Sequence, residues 1–352
     1  MDSVPALELP PYRPPSEAAS VLVRVTRGCA WNRCRFCGMY KDLRFSIRGL
    51  EEIEADLAML RAAWPEAHSV FLGDSDSLVH PQLPAIVRAV RRTFPEAERI
   101  TSYARLHTLW RRPAEFLQEL REAGLTRIHA GLESGSQVVL EQVAKGIEPE
   151  RAQGAVQKAL AAGFDLSLYV LSGLGGSTAW EAHARETAAV LAAVPPHFLR
   201  LRTLVLLPGT PLFDAWQAGE FEPADPLTRL RETQLLLTEL NARLNGLPCT
   251  PPAAGEESHA RAGRSAPTRH REPADPASRE IEICSDHFSN YIWANGEMIY
   301  GGINGFLPGD VELILAALDA AIVAARNSHQ VQDPASLARA GRMTELYRAG
   351  AL

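Results

Sequence analysis

The chain has 352 residues, a hydrophobic fraction of 46% and a formal net charge of −6, values ordinary for a soluble globular protein. It contains no apolar stretch near the roughly 20 residues that span a bilayer and no visible signal peptide, so we expect a cytoplasmic protein without a membrane partner. The acidic balance also argues against a nucleic-acid partner, because general nucleic-acid binders need a dominant basic surface.

Short apolar runs alternate with longer helical patterns from Val21 onward. This order predicts an α/β fold with a parallel sheet and right-handed crossovers. About six β-α units, where a full barrel has eight, predict a partial (β/α)6 TIM-type barrel, followed by a C-terminal α+β extension. The predicted strands are Val21–Thr26, Ser69–Gly73, Arg99–Tyr103, Arg127–Leu132, Asp165–Leu171 and Phe198–Leu204. The predicted helices are Leu50–Trp64, Gln82–Phe94, Pro113–Ala123, Ser136–Val143, Pro149–Ala162, Ala179–Val194, Pro226–Asn245, Asp310–Arg326 and Pro334–Tyr347.

Composition divides the chain into four segments. Residues 1–20 are proline-rich and are predicted to be an extended N-terminal segment, and residues 21–246 form the predicted barrel with its following helix. Residues 247–279 carry almost no large apolar side chain, which predicts a disordered insertion. Order is expected to resume over residues 280–352, the predicted C-terminal extension.

Three of the five cysteines lie close together after the first predicted strand, as Cys29, Cys34 and Cys37 in a C-x4-C-x2-C pattern. Three thiolates on one loop can bind three irons of a 4Fe–4S cluster, which leaves the fourth iron open to another ligand. A structural zinc site normally has four protein ligands, and only His68 and Cys249, far away in the chain, offer a fourth. A sparse, odd number of cysteines argues against a disulfide framework. We therefore predict an open iron–sulfur site, with zinc and unrelated thiols as the alternatives.

Small and acidic residues follow two further predicted strands. Gly73, Asp74 and Asp76 come after the second strand, and Glu133 and Ser134 lie in a Gly-Leu-Glu-Ser-Gly string after the fourth. Ligands of parallel α/β folds gather at the C-terminal ends of the strands, where a glycine permits close approach of the backbone. These residues are therefore candidates for a binding site, although an Asp-Ser-Asp turn also suits a helix cap.

Two groups of polar residues nearer the C-terminus are candidates for substrate binding. Arg200 and Arg202 alternate along the sixth predicted strand, so both lie on one face of it. If that face is the barrel interior they can bind substrate carboxylates, and otherwise they are surface arginines. Residues 285–291 are dense in polar and aromatic side chains and could cover the open side of the barrel. His287 and Tyr291 are candidates there for an acid, a base or a hydrogen-atom relay, with a structural histidine as the alternative.

On these motifs the chain resembles the radical S-adenosylmethionine (radical SAM) superfamily over roughly residues 21–215. It looks most similar to the branch of the Elongator catalytic subunit and the oxygen-independent coproporphyrinogen oxidase, whose Pro-Gly-Thr-Pro segment matches residues 208–211. The chain departs from the family in two places. One residue is added to the usual C-x3-C-x2-C spacing, and Gly-Asp-Ser-Asp stands where Gly-Gly-Glu is typical.

The resemblance implies a 4Fe–4S cluster on Cys29, Cys34 and Cys37, and S-adenosylmethionine (SAM) chelated to the open iron. Reductive cleavage of SAM then gives a 5′-deoxyadenosyl radical that removes a hydrogen atom from a substrate. It further implies an external electron donor of flavodoxin or ferredoxin type and a small-molecule substrate, which the sequence does not identify. The implied cofactor contacts are Phe36, Met39, Tyr40, Gly73, Asp74, Asp76, Glu133, Ser134 and Lys145, with a core aromatic as the alternative for Phe36 and an exposed lysine for Lys145.

Three other functions stay open on the sequence: a tRNA-modifying radical SAM enzyme, a haem- or porphyrin-handling relative, and a non-catalytic metal-binding protein. The absence of an acetyltransferase-like segment after the barrel and the negative charge argue against the first. A cobalamin-dependent methyltransferase is disfavoured because no cobalamin-binding domain fits in the remaining length.

Overall fold

The structure is a computed structural model that describes residues 13–246 and 280–339. The chain divides into two compact units, residues 1–131 with 150–167, and residues 132–149 with 168–352. The predicted disordered insertion, with Cys249, and the end of the last predicted helix lie outside the described residues. No helix in the described ranges is long and apolar enough to cross a membrane.

Strands and helices alternate through most of the described chain. The strands are β1 Val21–Arg24, β2 Thr26–Arg27, β3 Ser46–Ile47, β4 Ser69–Gly73, β5 Arg99–Arg105, β6 Arg127–Glu133, β7 Asp165–Ser172, β8 Phe198–Thr203, β9 Ile281–Cys284, β10 Ile292–Ala294, β11 Glu297–Tyr300, β12 Asn304–Leu307 and β13 Val331–Gln332. The helices are α1 Leu50–Ala63, α2 Leu83–Thr93, α3 Leu106–Arg111, α4 Ala114–Ala123, α5 Gln137–Gln142, α6 Pro149–Ala161, α7 Trp180–Ala193, α8 Pro211–Gln217, α9 Pro226–Leu244, α10 Val311–Arg326 and α11 Pro334–Arg339.

In the first unit, β1, β4, β5 and β6 pair in parallel in that order. Helical crossovers join successive parallel strands, so their C-terminal ends lie at one edge of the sheet. Alternate residues of these strands, such as Val23, Val70, Ile100 and Ile128, have no exposed surface and form the core. This arrangement places the loops after β1 and β4 side by side.

In the second unit, β9 pairs in parallel with β8 and antiparallel with β12. The C-terminal extension therefore continues the sheet beyond the last β-α repeat. A second small sheet has the order β11-β10-β13, and α9 packs between α7 and α10. The predicted α/β class with a mostly parallel sheet and an α+β extension is confirmed.

The main differences from the predicted elements are local. The first strand ends at Arg24, and the next residues form β2, which pairs antiparallel with β3. Two short helices, α3 and α8, were not predicted. Helix α8 begins after Thr210, whose Oγ1 accepts a hydrogen bond from the Phe213 amide at 3.3 Å. The Thr-Pro pair there is a helix-start signal as well as part of a family motif.

Residues 15–20 are joined to strands β5 and β6 by one buried carboxylate. Glu17 lies in a 3-10 turn, Pro15–Glu17, and has no exposed surface. Its oxygens accept hydrogen bonds from Ser20 at 2.6 Å and Arg99 at 3.2 Å, and one lies 3.2 Å from His129 Nε2. Burial works to raise the pKa of Glu17, but these hydrogen bonds and charges outweigh it and hold the pKa at about 2.

Candidate active site

The three clustered cysteines lie on one loop, residues 28–38, which we call the cysteine loop. Cys29, Cys34 and Cys37 are each partly exposed, and none forms a disulfide. The amide of Asn32, a residue with the left-handed φ of 45°, donates to Cys29 Sγ at 3.4 Å. Lys41 Nζ donates to the carbonyls of Asn32 and Cys34 at 2.9 and 3.1 Å, which ties the middle of the loop to the residues that follow it.

The base of the cysteine loop is held by Asp74, which is 1% exposed. Arg24 donates to both carboxylate oxygens of Asp74, from Nη2 at 2.7 Å and Nε at 3.2 Å, and the Gly28 amide donates to Oδ2 at 2.9 Å. Ser75 Oγ donates to the Gly28 carbonyl at 2.9 Å. The hydrogen bonds to the Asp74 carboxylate are charge-assisted and therefore stronger than those between neutral groups. They give Asp74 a supporting place beneath the loop, and its predicted contact with the cofactor stays a prediction.

Tyr40 follows the cysteine loop and is 3% exposed. Burial raises the pKa of its phenol well above the usual range, and the charges of Asp74, Cys29 and Cys37 raise it further. The other two predicted contacts on this stretch differ in exposure, Phe36 being half-buried and Met39 37% exposed.

The cysteine loop fits a 4Fe–4S cluster by the number and chemistry of its donors. Hydrogen bonds to ligand sulfurs, such as the one at Cys29, are among the contacts that tune iron–sulfur clusters. In the described part of the chain, no three His, Cys, Asp or Glu side chains are close enough together to hold a single metal ion. The donor set is thus three thiols on an anchored loop.

Two other predicted cofactor residues lie at the end of β4 and just after it. Asp76 is 1% exposed and accepts a hydrogen bond from Thr108 Oγ1 at 2.5 Å, and burial raises its pKa to about 6. A Cβ atom added to Gly73 would meet only Leu22 Cδ1, at an ordinary 3.5 Å. Packing therefore does not require this glycine. The cofactor roles of Gly73 and Asp76 stay predictions.

In the second unit, Glu133 and Lys145 form an ion pair. The Lys145 Nζ to Glu133 Oε1 distance is 2.7 Å, and the side chains are 9% and 14% exposed. Glu133 has a φ of 65°, a left-handed conformation that costs a non-glycine residue roughly 1–3 kcal/mol. The next residues hold it in place, because the Gly135 amide donates to Thr187 Oγ1 at 2.7 Å. Strain of this kind, held by its surroundings, is typical of functional sites.

Three buried polar side chains form a row that begins at the residue after Glu133. It consists of Ser134, His183 and Glu232, which are at most 2% exposed, and we call it the Ser134 network. Ser134 Oγ lies 2.7 Å from His183 Nδ1, and His183 Nε2 lies 3.5 Å from Glu232 Oε1. The Gly173 amide donates to the same Glu232 oxygen at 2.8 Å. The network thus links the loops after β6 and β7 to helix α9.

Burial sets the charge states in the Ser134 network. It lowers the pKa of His183 to about 4 and raises the pKa of Glu232 to about 7. The imidazole is therefore neutral at pH 7, with one donor and one acceptor nitrogen, and can join the serine to the carboxyl group. No member is more than 2% exposed, so the network packs within the protein next to the Glu133 loop, and the predicted cofactor contact of Ser134 stays a prediction.

Sequence reasoning missed Arg24, His183 and Glu232. A signal for Arg24 exists, since it is the one charged residue within an otherwise apolar strand, Val21–Arg24. His183 and Glu232 lie on helices distant from every motif, and no local pattern marks them. Their roles depend on contacts about 50 residues apart in sequence.

The two predicted acid–base residues of the C-terminal segment have local partners. Ser289 Oγ and its amide lie 2.8 and 3.2 Å from His287 Nδ1, and burial lowers the pKa of His287 to about 4. Tyr291 donates its hydroxyl to the Asp286 carbonyl at 3.3 Å. A catalytic role for either residue stays a prediction.

Known proteins are similar to part of this chain. Residues 23–187 match the model of the radical SAM superfamily. The heme chaperone HemW from two strains of Mycobacterium tuberculosis is 26% identical over 251 residues, which cover 67% of this chain and 62% of the relative. The chain thus spans less than two thirds of the length of these relatives.

Two solved structures match part of the chain. Coproporphyrinogen III oxidase (HemN) from Escherichia coli, a radical SAM enzyme, gives a TM-score of 0.49 at 20% identity, over 63% of this chain and 52% of that one. Elp3 from the archaeon Methanocaldococcus infernus gives 0.41 at 13% identity, over 62% and 54%. Members of the matched superfamily bind a 4Fe–4S cluster and SAM, for which the cysteine loop supplies the expected donors. Residues 23–187 are therefore similar to a radical SAM domain.

Proposed function

We propose that Cys29, Cys34 and Cys37 bind the 4Fe–4S cluster and that the enzyme uses SAM to start a radical reaction on a small organic substrate. The observation that supports this most directly is the set of three thiols on one loop, fixed at its base by Asp74. When bound, these cofactors supply one-electron cleavage of the sulfonium and a carbon radical that removes a hydrogen atom. The protein's own residues hold the loop, orient its sulfurs and limit the access of water.

Glu133 and Lys145 are the second part of the proposal. The Glu133 carboxylate can accept hydrogen bonds from ribose hydroxyls or an ammonium group, and Lys145 can donate to a carboxylate. Their ion pair orients both groups before SAM binds. The strained backbone of Glu133 and the Ser134 network behind it support a binding role, because they fix this side chain at an energetic cost.

The cluster is tested by anaerobic reconstitution with iron and sulfide, followed by dithionite and SAM, with deoxyadenosine measured by chromatography. We expect wild type to form deoxyadenosine, and Cys29→Ala, Cys34→Ala and Cys37→Ala each to abolish it. Cys284→Ala is the matched control, since Cys284 lies on β9 outside the loop. A protein that takes up zinc and no cluster, or that carries the cluster and cleaves no SAM, would contradict the proposal.

The roles of Glu133 and Lys145 are tested by equilibrium dialysis of SAM against the reconstituted protein. A hydrogen bond to a charged group contributes about 1.5–3 kcal/mol, which corresponds to roughly a 10- to 100-fold change in affinity. We expect losses of that size for Glu133→Gln and Lys145→Met. Glu141→Gln, at an exposed position of α5, should bind as wild type does. Unchanged affinity in both site variants would remove these residues from the proposal.

A haem- or porphyrin-handling function is the second candidate, and the match to HemW favours it. Its test is a titration of the reconstituted protein with haemin under anaerobic conditions. A saturable shift of the haem absorption band at one equivalent would support it, whatever the outcome for deoxyadenosine. If no saturable band appears, the haem-handling candidate is excluded and small-molecule catalysis remains.

A further inference from the structure

We propose that Arg202, together with Arg200 and Tyr169, forms a binding site for a carboxylate group of the substrate. We call these residues the Arg202 site, and all of them lie in the second unit. The Arg202 site would bind an anionic substrate with an apolar or aromatic body. Its interpretation as a substrate site rests on the proposed function. The binding of carboxylates can be tested independently of SAM cleavage.

The Arg202 site lies on one face of β8. Leu199 and Leu201 are 0% and 3% exposed and form the core face of this strand. Since side chains alternate along a strand, Arg200 and Arg202 lie together on the opposite face. The Arg202 guanidinium is 5.6 Å from the centre of the Tyr169 ring on β7, a distance typical of a cation–π contact. Both arginines thus project beside aromatic surface, and they are not ordinary surface arginines.

The C-terminal extension bounds the other side of this site. Arg200 is opposite Cys284 in the β8–β9 register, so the residues just after β9 run alongside Arg202. Asn290 fastens them there, with its Nδ2 donating to the Leu201 carbonyl at 2.9 Å and its Oδ1 accepting from Thr203 Oγ1 at 2.9 Å. The segment after β9 is therefore fixed against the end of β8.

The electrostatics of Arg202 favour an anion. Burial lowers the pKa of its guanidinium, and the opposing effects of Tyr169, Cys284 and Asp286 do not offset this. Its Nη1 donates to the Leu201 carbonyl at 2.7 Å, and within the described ranges Arg202 forms no ion pair. A charge that has lost hydration without gaining a counter-ion costs free energy, which a ligand anion would recover.

The donor geometry points to a carboxylate. A guanidinium presents a planar set of donors that matches a carboxylate in a bidentate manner. His287 adds a neutral donor, because its Nδ1 accepts from the Ser289 amide and the proton of the neutral ring is then on Nε2. Asp286 lies close enough to influence Arg202, and its charge disfavours a dianion such as phosphate. A singly charged carboxylate avoids that repulsion.

The test uses the full chain and an iron-free probe, mesoporphyrin IX, which has two carboxylates on an aromatic body. Its dimethyl ester has the same body without the charges, so the pair isolates the carboxylate contribution. We expect wild type to bind the acid at least tenfold more tightly than the ester in a fluorescence titration. Equal affinity for acid and ester, or no binding of either, would overturn the proposal without the use of any variant. Competition by inorganic phosphate as strong as by acetate would also contradict a carboxylate site.

Variants then locate the site. Arg202→Gln should lower affinity for the acid at least tenfold and leave affinity for the ester unchanged. The affinity of Arg202→Lys for the acid should lie between those of wild type and Arg202→Gln. Arg326→Gln, an exposed arginine at the end of α10, is the matched control and should bind as wild type does. An Arg202→Gln protein with wild-type affinity for the acid would exclude this residue.

A parallel assay separates this inference from the proposed function. Deoxyadenosine formation by wild type, without any porphyrin, is measured alongside the titrations and reports on the proposed function alone. If wild type forms no deoxyadenosine, the proposed function fails, while the acid and ester titrations still decide whether the carboxylate site exists.

Discussion

Replacement of Arg24 by methionine should release the base of the cysteine loop. The change removes both hydrogen bonds that Arg24 donates to Asp74 and leaves that carboxylate with the Gly28 amide. The side chains of the pair are only 6% and 1% exposed, so Asp74 would stay buried without its counter-ion. Removal of one partner from a buried ion pair typically costs about 3–5 kcal/mol of unfolding free energy.

The assay is guanidinium denaturation of the cluster-free chain, followed by circular dichroism and fluorescence, with iron content after reconstitution as a second measurement. Arg24→Met should be destabilised by about 3–5 kcal/mol and should retain less iron. The matched control is Arg88→Met, whose partner Glu119 is 48% exposed, so that its loss should cost at most about 1 kcal/mol. Combining Arg24→Met with Asp74→Leu should cost less than the sum of the two single changes, because the two side chains interact.

If Arg24→Met lost no more free energy than the exposed control, the Arg24–Asp74 pair would not hold the loop. Normal iron content in a destabilised variant would also count against the reasoning. It would mean that the cysteines keep their arrangement without a fixed base.

Three further predictions concern other buried contacts. His183→Leu removes the imidazole between the buried Ser134 hydroxyl and the buried Glu232 carboxyl group, so it should lower stability by about 1–3 kcal/mol in denaturation and weaken SAM binding in dialysis. An unchanged SAM affinity would show that the network does not position the loop. Glu17 has a pKa of about 2, below its ordinary 4.5. Its ionised carboxylate should therefore add about 3 kcal/mol to the free energy of unfolding above pH 4.5, and this stabilisation should disappear as the pH falls toward 2. Glu17→Gln should flatten that part of the plot of stability against pH. Gly135→Ala would place a Cβ atom 2.4 Å from the Glu186 carbonyl oxygen, so we expect a lower melting temperature and loss of SAM binding, and a wild-type melting temperature would contradict the packing described.

Much of the fold was predictable because it depends on local patterns. The alternation of strand and helix signals predicted the α/β class, and the strand bounds differ from the predicted ones by at most two residues, as at β5, which runs to Arg105. Short elements were missed where one signal had two meanings. The Thr-Pro pair before α8 was interpreted only as part of a family motif, although it also starts a helix.

The sequence by itself determined the fold class and the chemistry of the cysteine loop, since hydrophobic periodicity and the spacing of three thiols are local properties. Only the tertiary structure decided the partners of the site residues. Asp74, predicted as a cofactor ligand, is bound by Arg24 from 50 positions away, and Ser134 pairs with His183 from 49 positions away. Such pairings follow from strand register and helix packing, and the burial that accompanies them sets the pKa values of His183 and Glu232. Neither the register nor the burial is encoded in a short motif, because both arise from contacts between distant segments.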